Sequence, residues 1–192
     1  MDSAELIKVI KSIHPVSENF TRTLKGMLIP LSFPKNHLLL KPPAICEHIY
    51  FIHRGFAMCY LICKKKRNVE SFWKEGQFVL SASSFFEQKP TEQYIQLMRK
   101  SDLLAVTHAS FQRLYVLYPE TQQLFQLITI HDNQRARRHV FEIKHMEAYE
   151  RFEKLIKIFP DIDKAVPQEC IASYLGITPQ SFSRMKKLRM DS

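Results

Sequence analysis

The sequence predicts an α+β chain, with strands in its middle third and helices on either side, closing in a helix-turn-helix. Three observations carry this. Residues 37–107 break into short runs rich in aromatic and β-branched residues, separated by turn or charged clusters. Glu120 to His145 contains neither Gly nor Pro, which allows one long helix. Gln168 to Lys187 sets small, apolar and turn-forming residues where two crossed helices require them.

Taken in order, Ala4 to Ile13 places Leu6, Ile7, Val9, Ile10 and Ile13 at helical spacing, an amphipathic first helix. Phe20 to Leu31 is read as a second helix. Strands are expected at His37–Lys41, Ile49–His53, Phe56–Ile62, Val69–Trp73, Tyr94–Arg99 and Leu103–Thr107, a spacing that suits a small sandwich or barrel. Gly55 separates two of them at a tight turn, and Lys64-Lys65-Lys66-Arg67 reads as a hairpin tip, either a solvated loop or a surface for DNA or a partner. Ala109 to Tyr118 is a short helix stopped by Pro119. In the long helix, Leu124, Phe125, Leu127, Ile128 and Ile130 crowd the first half. The middle, 131–139, is almost wholly polar, and Val140, Phe141 and Ile143 follow. A coiled-coil seam needs a continuous apolar stripe, so this one is good early and poor in the middle. Met146 to Phe159 is a further amphipathic helix with Tyr149, Phe152, Leu155, Ile156 and Phe159 inward, and Asp161 to Pro167 leads into the last motif.

Within that motif, Ile171, Leu175, Ile177, Phe182 and Met185 fall where two crossed helices bury each other, and Ala172 sits at their closest approach. Gly176 supplies the turn, where a left-handed backbone costs Gly almost nothing. Thr178 is an N-cap and Pro179 suits the first turn of the second helix, 178–188. Its exposed face offers Gln180, Ser181, Ser183, Arg184 and Lys187, donors and acceptors of the right length for base edges and phosphates. The bland alternative is a plain helical hairpin.

The net charge of +9 favours a polyanionic partner. From Gly176 to Met190 the charged residues are Arg184, Lys186, Lys187 and Arg189, with no acid among them. Hydrophobic residues make up 45% of the chain, ample for a core. No apolar stretch approaches the ~20 residues of a membrane span, no signal peptide is visible, and no membrane partner is expected. Four scattered cysteines, Cys46, Cys59, Cys63 and Cys170, make no disulfide framework, so a reducing, cytoplasmic setting is expected.

The order of parts resembles the CRP/FNR family of bacterial transcription regulators. The residues that carry the resemblance are Ile49 to Tyr60 around Gly55, the turn Glu75-Gly76-Gln77-Phe78, and Ile171 to Arg184. It implies an N-terminal cyclic-nucleotide-binding-like jelly roll over 1–118, a dimerisation helix over 119–145 and a helix-turn-helix DNA-binding domain over 146–192. It further implies a homodimer whose recognition helices enter successive major grooves of a near-palindromic operator in double-stranded DNA, about 34 Å apart. RNA polymerase is then a further partner.

The departures matter equally. In cAMP-binding members a Gly-Glu pair holds the ribose and an Arg-Ser pair neutralises the cyclic phosphate. The corresponding positions here are Leu80 and Ser81, and Thr91 and Glu92, with no arginine between Arg67 and Arg99. An acid at Glu92 repels a phosphate in a partly buried pocket, so cAMP is not expected, and no cofactor is assigned. Ser81, Ser83, Phe85, Phe86, Glu92 and Tyr94 are the candidate lining of an effector pocket for an unknown small molecule, although the aromatics also suit a core. Cysteine spacing does not suit an iron–sulfur cluster; Cys59 and Cys63 are read as inert thiols by default. Family members continue past the recognition helix into a β-hairpin wing, whereas Ser192 follows the helix closely, so the positive helix end is expected to supply more of the phosphate binding.

Gln180, Ser181 and Arg184 are assigned to base edges, with Arg184 the candidate for a bidentate guanine contact. Pro179 stands where the family's first base-reading arginine lies. Gln168, Thr178, Ser183, Lys186 and Lys187 are assigned to phosphates. No catalytic constellation is present, and no metal site is assigned. A cupin-type metal enzyme would draw on His37, His48, His53 and His108, but no His-x-His pair followed by Glu occurs. A sensor or interaction module that has lost DNA binding is the other alternative.

Overall fold

In a computed structural model, which describes residues 2–190, two helices open the chain: α1 (Ala4–Ile13) and α2 (Glu18–Met27). Ser17 caps α2, its hydroxyl accepting from the Phe20 amide at 3.1 Å. The second helix stops at Met27 rather than running to Leu31, because Ile29–Phe33 forms a strand, β1. Pro30 explains the change: it cannot donate to a helix, yet an edge strand tolerates its missing N–H.

Seven more strands follow: β2 (Leu38–Leu40), β3 (His48–Arg54), β4 (Phe56–Cys63), β5 (Lys66–Lys74), β6 (Phe78–Val79), β7 (Tyr94–Leu97) and β8 (Ser101–Thr107). They build two antiparallel four-stranded sheets, ordered β1-β8-β3-β6 and β2-β7-β4-β5, the jelly roll the sequence implies. The stretch after Gly76, which the sequence leaves without elements, holds strand β6 and a short helix, α3 (Ala82–Glu87). Gly55 has φ of 129° between β3 and β4, and a Cβ there would meet the Ser101 hydroxyl at 2.1 Å, so no side chain fits.

Strand β4 reads Phe-Ala-Met-Cys-Tyr with no polar face, the pattern of a strand covered on both sides. Ala57 and Cys59 turn into the roll; Phe56, Met58 and Tyr60 turn outward into a second core with Phe152, Leu155, Ile171, Leu175 and Phe182. The helical tail is thus packed onto the outer face of the second sheet. On the far side α1, α2, α4 (His108–Leu117) and the first half of α5 (Pro119–His145) join the first core through Leu6, Phe20, Phe111, Leu124 and Ile128. Fully burying such a side chain stabilises by about 1.5–3 kcal/mol. Among the described residues no helix is long and apolar enough to cross a membrane.

The hairpin of β4 and β5 closes with Cys63 opposite Lys66, leaving Lys64 and Lys65 as a two-residue turn with φ of 50° and 64°. Two positive φ values mark a type I′ turn, normally Asn-Gly; the left-handed region costs an ordinary residue roughly 1–2 kcal/mol.

After α5 come α6 (Ala148–Ile158), the short α7 (Ile162–Ala165), α8 (Gln168–Tyr174) and α9 (Pro179–Met190). Residues 191–192, included in the expected DNA-binding segment, lie outside the described residues. Glu147 and Glu150 form a capping box that starts α6. Tyr149, expected inward, is 44% exposed; Arg151 takes the inward place instead. The Arg151 guanidinium donates to the Leu175 carbonyl through Nε and Nη2, at 3.1 and 2.8 Å, and through Nη1 to the carbonyls of Met146 and Ile143. Those carbonyls belong to the ends of α8 and α5, where backbone acceptors lack helical partners and carry partial negative charge.

The polar middle of α5 also has work of its own. His139 stacks on Tyr174 of α8 with ring centroids 4.0 Å apart, and Arg135 lies over Trp73 of β5 at 6.0 Å. Further ties cross the same junction: the Val69 amide donates to the Ser173 hydroxyl at 3.0 Å, Lys74 Nζ to the Ile158 carbonyl at 3.0 Å, and Arg99 Nη2 to the Asp161 carbonyl at 3.2 Å.

Two predictions arise. Arg151→Met keeps the bulk but leaves buried carbonyls unpaired, so chemical denaturation should show a loss of about 1–3 kcal/mol; a loss within a few tenths of zero would contradict the clamp. Burial lowers the His139 pKa from its ordinary 6.5, with Glu142 partly offsetting. The fold therefore prefers neutral imidazole: its contribution is complete above about pH 6.5 and declines as the pH falls below it. His139→Phe should make the acid side of the stability profile shallower. Superimposable wild-type and variant profiles would contradict this.

Candidate nucleic-acid interface

The helix-turn-helix assembles as its residue pattern requires. Cys170, Ile171 and Ala172 on α8 are fully buried, and Leu175 closes the helix with its amide on the Ile171 carbonyl. Gly176 takes φ of 68°, and the Ile177 amide reaches back to the Ala172 carbonyl at 3.0 Å. The Thr178 hydroxyl accepts from the Ser181 amide at 3.1 Å, which is the N-cap bond, and Pro179 begins α9. Phe182 is fully buried and meets Phe152 edge-on at 5.1 Å, while Met185 packs beside it.

With Phe182 and Met185 held inward, the opposite side of α9 faces solvent. Gln180, Ser181, Ser183, Arg184 and Lys187 are all exposed, as are Thr178 and Gln168 at the starts of α9 and α8. The Ser181 hydroxyl shares a 3.0 Å hydrogen bond with that of Thr178. Lys186 differs: it is half-buried and pairs with Asp163 of α7 at 3.2 Å. That ion pair ties α9 to α7 and turns one cation away from the open face.

The six candidate effector residues do not share a pocket. Phe85 is buried in the roll's core, whereas Ser83, Phe86 and Glu92 are exposed. Tyr94 points outward, stacked on Tyr60 with centroids 5.0 Å apart, on the sheet face that meets the helical tail. Ser81 is buried, and its hydroxyl donates to Gln93 Oε1 at 2.7 Å and lies 3.3 Å from the Thr91 hydroxyl. Gln93 Nε2 in turn donates to Glu70 at 2.7 Å. Gln93 and Glu70 carry no signal in the sequence that would pick them out, and Thr91 is marked there only by its distance from Gly76. Strand alternation decides which side each takes, and a one-residue uncertainty in register reverses it. The Cys59 thiol lies 3.7 Å from Glu70, and burial pushes its pKa well up, while Cys63 is exposed.

The four histidines near strands are dispersed. His37 stacks on Phe33, His48 on Tyr50, and His108 meets Gln112 and Phe85; His53 pairs with Glu5 at 3.0 Å. Among the described residues no three potential metal ligands come together. A narrow apolar cavity of about 40 Å³ lies among Leu6, Phe20, Leu104, Phe111, Leu124 and Ile128, and an open cleft of about 620 Å³ lies along residues 36–50.

No family model matches the chain, and no curated protein matches it. Solved structures do share its fold. A crp/fnr-family protein of Eubacterium rectale aligns over 92% of this chain and 85% of its own, with a TM-score of 0.73 at 13% identity. FixK2 of Bradyrhizobium japonicum covers 85% of both chains with a TM-score of 0.69 at 16% identity. The c-di-GMP responsive global regulator CLP of Xanthomonas campestris covers 91% of this chain and 93% of its own, with a TM-score of 0.67 at 15% identity. The chain has the fold of the CRP/FNR regulators, jelly roll and helix-turn-helix together.

Proposed function

We propose that this protein is a homodimeric, DNA-binding transcription regulator of the CRP/FNR type, reading a near-palindromic operator through α9. The observation that carries the reading is the outer face of α9: Gln180, Ser181, Ser183, Arg184 and Lys187 are exposed, no acid lies between Gly176 and Met190, and buried Phe182 and Met185 fix the helix's rotation. In this reading Gln180, Ser181 and Arg184 meet base edges. Gln168, Thr178, Ser183 and Lys187 meet phosphates, and Lys186 does so only by leaving Asp163.

The dimer is assigned to α5. Ile130, Val140, Phe141 and Ile143 are exposed apolar residues on it, and Ile130 and Phe141 lie about three turns apart on one side. The resulting division of labour is a sensor roll over 1–118, a joining helix over 119–145 and a DNA-binding domain from 146 onward. Cyclic AMP is not the effector in this reading, since Ser81, Thr91, Gln93 and Glu70 bond to one another where that ligand's ribose and phosphate would need partners. RNA polymerase is the further partner a regulator of this kind would meet.

Fluorescence anisotropy on the upstream region of the protein's own operon, beside a mixed-sequence duplex, tests the reading. Arg184→Ala should cost about 1–3 kcal/mol on the specific site, roughly 5- to 150-fold, and little on the mixed sequence. Lys187→Ala should weaken both alike and make the salt dependence shallower by about 0.9 for each phosphate no longer neutralised. Equal losses on both duplexes for Arg184→Ala would contradict its base-reading role, and no binding to either by wild-type protein would leave the interaction-module alternative.

A further inference from the structure

The β4–β5 hairpin tip is strongly charged: Lys64, Lys65, Lys66 and Arg67 are consecutive and all exposed. Its placement is specific. The Val69 amide bonds the Ser173 hydroxyl at 3.0 Å, and Phe72 packs on Tyr174 with ring centroids 4.9 Å apart. Strand β5 and helix α8 therefore run side by side in the same direction. Continued backward from the Val69–Ser173 bond at about 3.3 Å per strand residue, against about 1.5 Å per helical residue, the strand carries its tip roughly 6–9 Å past the start of α8. Gln168, assigned above to a phosphate, stands at that start.

We propose that Lys64, Lys65 and Lys66 form a second phosphate-binding site for duplex DNA, supplied by the N-terminal roll and held in place against the DNA-binding domain. The inference rests on the regulator reading and extends its footprint beyond the recognition helix. Arg67 is the anchor: its guanidinium lies over the Tyr60 ring, 5.2 Å from the centroid. The three lysines take no ion pair among the described residues. Two of them occupy the left-handed turn positions that suit Asn-Gly, and three like charges sit side by side. Such a tip opposes its own folding on both counts, and a polyanion lying against it offsets that cost.

The turn itself supplies a variant that keeps the fold. Lys64→Asn with Lys65→Gly installs the preferred turn, so thermal stability should hold or rise. Affinity for a mixed-sequence duplex three helical turns long should fall about tenfold near 50 mM salt. The salt dependence should become shallower by about 0.9 for each lysine–phosphate pair removed, between roughly two and four units for one or two protomers. Cys63 beside the tip is exposed while Cys46, Cys59 and Cys170 are buried, so a thiol-directed iron–EDTA reagent can be placed there. DNA cleavage flanking the segment bound by the recognition helix supports the proposal. Wild-type affinity and slope in the double variant, or an uncut duplex bound by the labelled protein, overturns it. So does a variant that loses transcriptional output with DNA binding intact, which would assign the tip to a protein partner. Wild-type protein that binds no duplex overturns both readings, whereas binding weakened by Lys187→Ala but not by the double variant overturns this one alone.

Discussion

The arrangement of the C-terminal half turns on the Arg151 guanidinium. It is buried, and its donors face the carbonyl ends of two helices at once: Leu175 at the close of α8, and Ile143 and Met146 at the close of α5. A planar fork can serve both ends where a single ammonium cannot. Because Leu175 leads directly into the Gly176 turn, the same interaction sets where α9 begins. The direction of the long helix and the pose of α9 are thereby linked through one side chain. Phe182 against Phe152 completes the link from the apolar side.

The second constraint is the doubly covered second sheet. Phe56, Met58 and Tyr60 would leave a broad apolar face in water if the helical tail were removed, so roll and tail share a core rather than touch at a polar boundary. This accounts for the polar centre of α5. Arg135 and His139 are spaced one turn apart, and they meet Trp73 and Tyr174 where the helix crosses the junction. An apolar seam there would serve a partner helix alone. The polar residues serve the junction, while Ile130, Val140, Phe141 and Ile143 on either side of it stay exposed.

What is legible in the sequence follows from how local each signal is. The helix-turn-helix can be read because its cap, turn and buried positions lie within twenty residues and check one another. Strands β3, β4 and β8 can be read for the same reason, as dense β-branched and aromatic runs. Strand β1 reads instead as the end of a helix, since an edge strand of Ile-Pro-Leu-Ser-Phe is defined only by its partner β8, some seventy residues on. Arg151 looks like an ordinary surface arginine: its acceptors lie up to 24 residues away and are main-chain atoms, which have no sequence signature. Of the six candidate effector residues, Ser81 and Glu92 are defined by their distance from Gly76 and the others by lying in the same stretch. That distance places them along the chain but not on a side of the sheet, so Tyr94 joins the outer core while Ser81 and Phe85 do not.

Selection of duplexes from a random-sequence pool by the wild-type protein tests the central claim most directly. A dimer presenting two copies of α9 should enrich an inverted repeat with half-site centres about 10–10.5 base pairs apart, one turn of the double helix. An enriched pool with no repeat, or no enrichment over the starting pool, would contradict it.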